Sequence, residues 1–514
     1  MTGSASLNAA RRRRELDDVA SGQVADLLVI GLGATGAGAA LDAATRGLDV
    51  VAIDAHDLAF GTSRWSSKLA HGGLRYLASG KVGIAHESAV ERGILMTRTA
   101  PHLTRTTPWL VPHFGRGGRR ENAVTMAGFV AGDLLRRATR TPTSVLPRPR
   151  RLRPAEALTL APGIREDGLI GASLGWDGQL ADDARLVVAI ARTAALHGAA
   201  VLTRLRALEV TADGARARDE LTGDVIEIKA RAVLNATGVW ADRLAPDIRL
   251  RPSRGTHLVV RSASLGTPNC VVNAPVPGHF GRFVFTLPQL DGTTYLGLTD
   301  EPVEGEPPDV PLPGDGEAEF LLDTINPVLR TALTPADVIG SFAGLRPLLD
   351  TGDDDRGGTS RGDTADLSRR HAVLTAPDGL ITVVGGKLTT YRRMAQDAVD
   401  AVCRERRLTA GPCVSARTPL IGAASRERLA ALPAPDRLVR RYGTEATAVL
   451  SADPSRNEPI GNEIHTTPAE FDFALRHEGA LDIGDLLDRR TRIGLVPADR
   501  DLAENVAAEA LSLI

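Results

Sequence analysis

The sequence predicts an α/β protein in which a Rossmann-like domain is interrupted by an antiparallel-sheet domain and followed by an α-helical domain. Three observations support this. A glycine-rich turn follows the apolar strand 27–30, and two more glycine turns follow apolar strands, at 236–238 and 385–386. Between the second and third turns, residues 251–300 alternate apolar and polar side chains, as half-buried strands do. Beyond about residue 410, helical patterns dominate and no glycine motif occurs.

The first glycine turn has the spacing of a dinucleotide-binding motif. Gly31, Gly33 and Gly36 follow strand 27–30, and Asp54 ends the next strand, 18 positions after Gly36. In such motifs the first glycine permits a tight turn, the second lets the backbone approach a pyrophosphate, and the third lets the helix pack closely. The carboxylate is expected to accept hydrogen bonds from ribose hydroxyls. The motif alone fits both FAD and NAD.

The other two glycine turns and the inserted sheet favour FAD. Ligands of open α/β sheets bind at the carboxyl ends of the strands, so the three turns should meet at one site. A nucleotide-binding domain interrupted by an antiparallel sheet is typical of flavin oxidoreductases. NAD dehydrogenases more often keep the nucleotide domain intact. We therefore predict FAD as the cofactor, with Gly238 and Gly386 allowing close backbone approach.

Composition excludes several other classes of protein. The chain has 514 residues, so it can hold more than one domain, and its net charge of −2 argues against nucleic-acid binding. Cys270, Cys403 and Cys413 are scattered without a CxxC pair, which fits a reducing cytoplasm and predicts no metal site. No apolar stretch is long enough to span a membrane.

These patterns give a discontinuous domain plan. Residues 1–24, which include a run of arginines, are expected to be a flexible, solvated tail. The remaining assignments are the FAD-binding domain (25–105, 181–250 and 336–408), the substrate or cap domain (106–180 and 251–335) and the α-helical C-terminal domain (409–514).

The segment 116–153 is strongly basic. It holds ten arginines against two acidic residues, and its middle has apolar side chains at helical spacing. A basic amphipathic helix can lie on an anionic bilayer surface. It can equally be an ordinary surface helix that packs on the core, and both interpretations stay open at this point.

The chain resembles the aerobic, bacterial type of FAD-dependent glycerol-3-phosphate dehydrogenase, a branch of the D-amino-acid-oxidase-like flavoproteins. The most specific matching strings are SSKLAHGGLRY at 66–76 and GGKLTTYR at 385–392. The resemblance covers residues 25 to about 400, with further matching strings at 182–186, 235–238, 255–260 and 344–348. One departure is Asp54, where the family usually has Glu.

The resemblance implies FAD-dependent oxidation of sn-glycerol 3-phosphate to dihydroxyacetone phosphate, by hydride transfer from C2 to flavin N5. It also implies quinone as the electron acceptor, a homodimer, and a cytoplasmic protein that is peripheral on the inner face of the bacterial membrane through segment 116–153. Three alternatives stay open: a glycerol-3-phosphate oxidase that uses oxygen, a related amine or amino-acid oxidase, and a flavin-binding protein without redox turnover.

Candidate substrate residues follow from what this chemistry needs, which is cations for a phosphate dianion and an acceptor for the hydroxyl proton. His257 is the preferred proton acceptor because the pKa of imidazole lies near working pH. Arg346 or Lys387 could instead hold the developing alkoxide. Tyr76 is expected either to hydrogen-bond the substrate or only to pack. The implied phosphate cations are Arg75, Arg346 and Lys387, with Arg369 as a fourth.

Candidate cofactor residues lie in the same two strings. Ser66, Ser67 and Lys68 are expected to contact the FAD diphosphate and ribityl chain, and Gly72 belongs to the glycine pair that follows. Thr389, at a helix N-terminus, is expected to face the flavin ring. The alternative for each is an ordinary turn residue.

Overall fold

A computed structural model gives the structure of the chain, and it describes residues 4–78, 80–115, 117–279, 281–350 and 370–513 without the side chains of Arg75 and Ala78. The helices are α1 (Ala9–Ala20), α2 (Ala34–Thr45), α3 (Leu74–Ala78), α4 (Val82–Ile94), α5 (Gly118–Ala138), α6 (Pro154–Leu160), α7 (Asp183–Leu196), α8 (Ala241–Leu244), α9 (Glu317–Ile325), α10 (Tyr391–Glu405), α11 (Arg426–Ala430), α12 (Asp436–Tyr442), α13 (Ala446–Val449), α14 (Pro468–His477) and α15 (Pro497–Ser512). The strands are β1 (Val24–Ala25), β2 (Leu27–Ile30), β3 (Val50–Ile53), β4 (Leu69–Ala70), β5 (Thr104–Phe114), β6 (Arg150–Leu152), β7 (Leu169–Leu180), β8 (Ala200–Leu202), β9 (Leu205–Thr211), β10 (Gly214–Asp219), β11 (Val225–Ala230), β12 (Val233–Asn235), β13 (Ser253–Arg261), β14 (Val271–Pro275), β15 (Phe283–Pro288), β16 (Thr293–Gly297), β17 (Glu301–Pro302), β18 (Val338–Arg346), β19 (Ala372–Thr375) and β20 (Ile381–Val384).

The nucleotide-binding core is a six-stranded sheet in the order β19-β20-β12-β2-β3-β8. Its strands are parallel except for β19 at one edge. All residues of β2 and β3 are buried, as in a sheet covered on both faces. The alanine-rich helix α2 packs against α7 and α10 on one face of the sheet. This arrangement confirms the predicted Rossmann-like core.

The second large sheet is mostly antiparallel and follows the order β17-β13-β16-β15-β14-β5-β7-β4. It confirms the antiparallel insertion predicted between the second and third glycine turns. One predicted domain boundary, the start of the last FAD-binding segment at residue 336, is wrong. Residues 336–346 were assigned to the FAD-binding domain, but β18 pairs with β13 along its length, from Ser253 opposite Arg346 to Val260 opposite Val338. Strand pairing joins distant residues, so no local pattern indicates which sheet a strand joins.

The prediction that residues 1–24 form a flexible tail is also wrong, because helix α1 packs against the rest of the protein. The side chain of Asn8 caps the helix by accepting from the N–H of Arg11 at 2.9 Å. Arg12 is buried, and its Nη2 lies 2.7 Å from Oδ1 of Asp219. Its Nε also donates to the carbonyl of Thr203 at 2.8 Å. The arginine run suggested solvation because nothing nearby in sequence shows the carboxylate that pairs with Arg12.

The C-terminal domain is helical, as predicted, with α11 to α15 following one another along the chain. Buried ion pairs join it to the nucleotide-binding domain. Arg490, fully buried, contacts Asp57 at 2.7 Å, and Arg185 of α7 pairs with Glu478. Within the described ranges, no helix is both long and apolar enough to cross a membrane.

We predict that Arg12→Ala lowers the free energy of unfolding by about 3 kcal/mol, because removing one partner of a buried pair leaves Asp219 uncompensated. Arg13→Ala is the matched control, since Arg13 lies in the same helix and is exposed. Urea unfolding followed by circular dichroism measures the difference. Equal midpoints for the two variants would mean that α1 is not anchored as described.

Candidate active site

A cavity of about 1470 Å³ lies at the carboxyl ends of β2, β12 and β20, against the antiparallel sheet. Pockets for drug-sized ligands hold about 300–1,000 Å³, so this cavity has room for a dinucleotide and a small substrate together. All three glycine turns border it, through Gly31 and Gly33, Gly238, and Gly385 and Gly386. The strand ends therefore meet where the sequence predicts.

At the first glycine turn, backbone segments lie in direct contact with one another. A Cβ on Gly36 would lie 1.8 Å from the carbonyl oxygen of Gly31, so only glycine fits there. Gly31 has φ +104°, and a Cβ on it would lie 2.6 Å from the carbonyl oxygen of Ala236. Gly33 precedes α2 without a side-chain cap of its own. The N–H of Ala34 donates to Oγ of Ser63 at 2.9 Å, and the N–H groups that follow in the first turn of the helix suit an anion. These features fit the pyrophosphate of FAD.

Asp54 lies beside this turn, half-buried, at the edge of the cavity. Its Oδ2 accepts from the N–H of Leu32 at 2.7 Å, and its Oδ1 accepts from the N–H of His56 at 2.8 Å. Burial raises the pKa of Asp54 to about 6. Two backbone donors fix the carboxylate, and its remaining lone pairs suit a ribose hydroxyl.

Lys68 does not border the cavity, so the structure does not support the prediction that it contacts the cofactor. Its neighbours Ser66, Ser67 and Leu69 do border it. The ammonium group of Lys68 is fully buried, lies 2.9 Å from Oδ2 of Asp183 and donates to two backbone carbonyls. The conspicuous lysine of the SSKL string thus faces the interior.

Gly72 is likewise not a cavity residue, so the structure does not support its assignment to the cofactor. Its N–H donates to the carboxylate of Asp177, and a Cβ on it would lie 2.3 Å from Nη1 of Arg92. Arg92 and Asp177 form an ion pair at 2.7 Å. Gly72 is therefore needed for packing around this pair, while His71 and Gly73 border the cavity.

Arg346, at the end of β18, borders the cavity. Its Nη1 lies 3.0 Å from Oγ of Ser253 and 3.1 Å from Oδ1 of Asp300. Gly255 makes room for it, since a Cβ there would lie 2.3 Å from Nη2. The guanidinium is thereby held in one place on the sheet wall.

Lys387 and Tyr76 form a second group of residues that border the cavity. Nζ of Lys387 lies 3.7 Å from the centre of the Tyr76 ring, a cation–π contact, and 2.8 Å from Oγ of Ser88. Ser88 is buried in α4 and donates to the carbonyl of Ile84. Ser88 is a site residue that the sequence does not indicate, because a small polar residue on a buried helix face carries no signal of its own.

His257, on β13, borders the cavity but is almost fully buried. Its Nε2 lies 2.9 Å from Oγ of Ser67, and its ring stacks on Phe342 with centroids 4.7 Å apart. Burial, followed by the charges of Lys68, Arg346 and Arg492, holds the pKa of His257 well below its ordinary value. The ring is therefore neutral near pH 7 and can accept a proton.

Two predicted cations lie outside the described part of the chain. Arg369 is one, and the side chain of Arg75 is the other. Thr389 borders the cavity, and its Oγ1 accepts from the N–H of His71 at 3.2 Å. Among the residues that the structure describes, no group of three or more His, Cys, Asp or Glu could hold a metal ion.

Comparison with known proteins gives one answer along the whole chain. The model of the family "FAD dependent oxidoreductase" matches residues 26–392, and that of the "C-terminal domain of alpha-glycerophosphate oxidase" matches 413–514. Glycerol-3-phosphate dehydrogenase 1 of Mycobacterium tuberculosis is 53% identical over 517 residues, which cover 100% of this chain and 99% of that protein. The chain belongs to the FAD-dependent glycerol-3-phosphate dehydrogenase family. This confirms the resemblance inferred from its sequence strings.

Two further relatives support the assignment to glycerol-3-phosphate dehydrogenases. The Pseudomonas aeruginosa protein of that name is 32% identical, over 92% of each chain. The crystal structure of a Bacillus halodurans glycerol-3-phosphate dehydrogenase complexed with FAD superposes with a TM-score of 0.72 at 27% identity, covering 99% of this chain and 94% of that one. FAD is therefore the cofactor of this family member, as predicted, and the glycine turns around the cavity fit it.

We predict that Gly36→Ala abolishes FAD binding, because the added methyl group would overlap the carbonyl oxygen of Gly31. Gly117→Ala is the control, since Gly117 has φ −69° and nothing lies within 4 Å of an added Cβ. Flavin absorbance per purified chain measures the effect. A yellow Gly36→Ala protein with native FAD affinity would contradict the geometry of this turn.

Proposed function

We propose that this chain oxidises sn-glycerol 3-phosphate to dihydroxyacetone phosphate. The observation that carries the proposal is that Arg346, Lys387 and His257 border one cavity with the glycine turns that fit FAD. A phosphate dianion needs cations, and an alcohol needs a proton acceptor when it loses hydride. An amine or amino-acid oxidase needs a carboxylate-binding arginine but no group of several cations, which disfavours that alternative.

The substrate phosphate binds to cations that border the cavity. Arg346 presents a planar fork that matches two phosphate oxygens, and its bonds to Ser253 and Asp300 keep that fork in place. Lys387 adds a point charge, placed by Ser88 and by the ring of Tyr76. Arg75 and Arg369 complete the proposed set.

His257 takes the proton of the C2 hydroxyl. Its lowered pKa leaves the imidazole unprotonated at neutral pH, and the same shift makes it a weaker base than a free histidine. When FAD is bound, its ring system supplies the hydride acceptor. Stacking on Phe342 gives the imidazole an apolar surrounding on the sheet wall.

Quinone is the proposed electron acceptor, and support comes from the cavity mouth beside α5. Apolar side chains border this mouth, among them Val124 and Phe129 of α5 and Val276 and Phe283 of the facing hairpin. Such a surface suits a hydrophobic ring better than it suits a polar acceptor. The oxidase alternative, with oxygen as the acceptor, needs no such surface.

Membrane contact through α5 is proposed on similar grounds. Val124, Val130 and Leu134 are exposed on this helix, within the arginine-rich segment 116–153. A basic surface with exposed apolar side chains suits the inner, anionic face of a bacterial membrane. We propose a cytoplasmic protein that is peripheral there. A homodimer stays a prediction.

Anaerobic addition of sn-glycerol 3-phosphate to the yellow holoenzyme tests the proposed function. Oxidised flavins in general absorb at about 450 nm, and we expect this band to bleach. Glycerol without phosphate is the control and should leave the band unchanged at equal concentration. A band that persists with sn-glycerol 3-phosphate would contradict the proposal.

Reoxidation of the reduced enzyme then distinguishes quinone from oxygen as the electron acceptor. Rapid reoxidation by a soluble quinone analogue and slow reoxidation by air would support the dehydrogenase. Rapid reoxidation by air with formation of peroxide would support the oxidase instead.

Sedimentation with anionic vesicles, compared with neutral vesicles, tests the contact through α5.

We predict that Arg346→Ala raises the KM for sn-glycerol 3-phosphate about 10- to 100-fold, because hydrogen bonds to a charged group contribute about 1.5–3 kcal/mol. FAD should remain bound. Arg330→Ala, a change at an exposed arginine, is the control and should leave the KM unchanged. If Arg346→Ala lost its flavin, Arg346 would instead be part of the cofactor site.

A further inference from the structure

One buried carboxylate, that of Asp183, joins three parts of the chain. Its Oδ2 accepts from Nζ of Lys68 at 2.9 Å and from Oγ and N–H of Ser66 at 2.7 and 3.0 Å. Its Oδ1 accepts from Nη1 of Arg492, in the C-terminal domain, at 2.9 Å. Asp183 itself begins α7, next to the capping residue Asp182.

These bonds fix the loop that holds Ser66 and Ser67. The ammonium group of Lys68 donates to Asp183 and, at 2.7 Å each, to the carbonyls of Arg64 and Ser66, which uses its three donors. The backbone of Lys68 has φ +57°, a left-handed conformation that non-glycine residues adopt at a cost. Surrounding contacts must hold such a residue, and here they come from Asp183 and from the loop itself.

The same loop provides the directional contact to His257. Stacking on Phe342 fixes the plane of the imidazole, but a half-turn of the ring keeps that plane and exchanges nitrogen for carbon. Among the described residues, Nδ1 of His257 is buried without a hydrogen-bond partner. The bond between Nε2 and Oγ of Ser67, at 2.9 Å, therefore distinguishes the two orientations.

We propose that Ser67 orients His257 and carries the substrate proton to it, and that Arg492 of the C-terminal domain holds Ser67 in place through Asp183 and Lys68. Because Nδ1 is buried, Oγ of Ser67 accepts the proton of the C2 hydroxyl while its own proton passes to Nε2 of His257. The inference rests on the proposed function in so far as His257 takes the substrate proton. It also explains why the lysine of the SSKL string faces the interior. Lys68 supports the loop, and the serines beside it reach the cavity.

Ser67→Ala tests the first step. We expect FAD affinity and substrate affinity to change less than threefold, while the limiting rate of flavin reduction in anaerobic stopped flow falls about 10- to 100-fold. This is less than the roughly 100- to 10,000-fold that a positioned proton acceptor contributes, because His257 itself remains. Ser67→Thr keeps the hydroxyl and should retain most of the rate. Histidine ¹⁵N NMR shifts of the oxidised holoenzyme give a readout independent of turnover. The signal of His257, assigned with His257→Gln, should change in Ser67→Ala and persist in Ser67→Thr.

Arg492→Met tests the second step through a double-mutant cycle with Ser67→Ala. We expect Arg492→Met to lower the same limiting rate and to add little to the loss in Ser67→Ala, because both act through one contact. Arg456→Met is the matched control, since Arg456 also forms a partly buried pair in the C-terminal domain, with Asp472. It should leave the rate of flavin reduction unchanged.

Several results would overturn this inference. One is an unchanged rate and an unchanged ¹⁵N signal in Ser67→Ala. A second is loss of FAD affinity with a normal rate at saturation, which would make Ser67 a cofactor contact only. Additive losses in the double variant would overturn the role of Arg492. Wild-type holoenzyme that substrate fails to reduce would contradict the proposed function instead, and the ¹⁵N comparison would still decide the contact between Ser67 and His257.

Discussion

The start of helix α2 lies against the turn that precedes it, and the position of the cofactor depends on this contact. Gly36 and the carbonyl of Gly31 are so close that no side chain fits between them. The turn in turn lies against the end of β12 at Ala236. Because backbone meets backbone there, one geometry is kept around the cavity by the helix N-terminus, the carboxylate of Asp54 and the neighbouring strand ends.

The substrate end is held by side chains rather than by close backbone contact. Arg346 is supported by Ser253 and Asp300, Lys387 by Ser88, and His257 by Ser67 and Phe342. The buried carboxylate of Asp183 then connects the loop that holds Ser67 to Arg492 in the C-terminal domain. Such pairs add little net stability, since burial of charge is costly, but loss of one partner is strongly destabilising. Their main effect here is to keep the site in one arrangement.

Local patterns were enough to predict the nucleotide-binding core, because glycine spacing and buried strands act over a few residues. They were also enough to predict His257, Arg346 and Lys387 as cavity residues, through the resemblance that the strings carry. Local patterns failed where the residue that makes the contact lies far away in the sequence. Lys68 faces Asp183, helix α1 docks through Arg12 and Asp219, and β18 pairs with β13. Nothing near those residues in the sequence indicates the other half of the contact.

A crystal structure of the holoenzyme with dihydroxyacetone phosphate bound tests the central claim most directly. The account predicts the FAD pyrophosphate at the N-terminus of α2. It predicts the ligand phosphate within hydrogen-bond distance of Arg346 and Lys387, and its C2 oxygen within reach of His257. A ligand phosphate bound away from both cations, or a C2 oxygen remote from the imidazole, would contradict it.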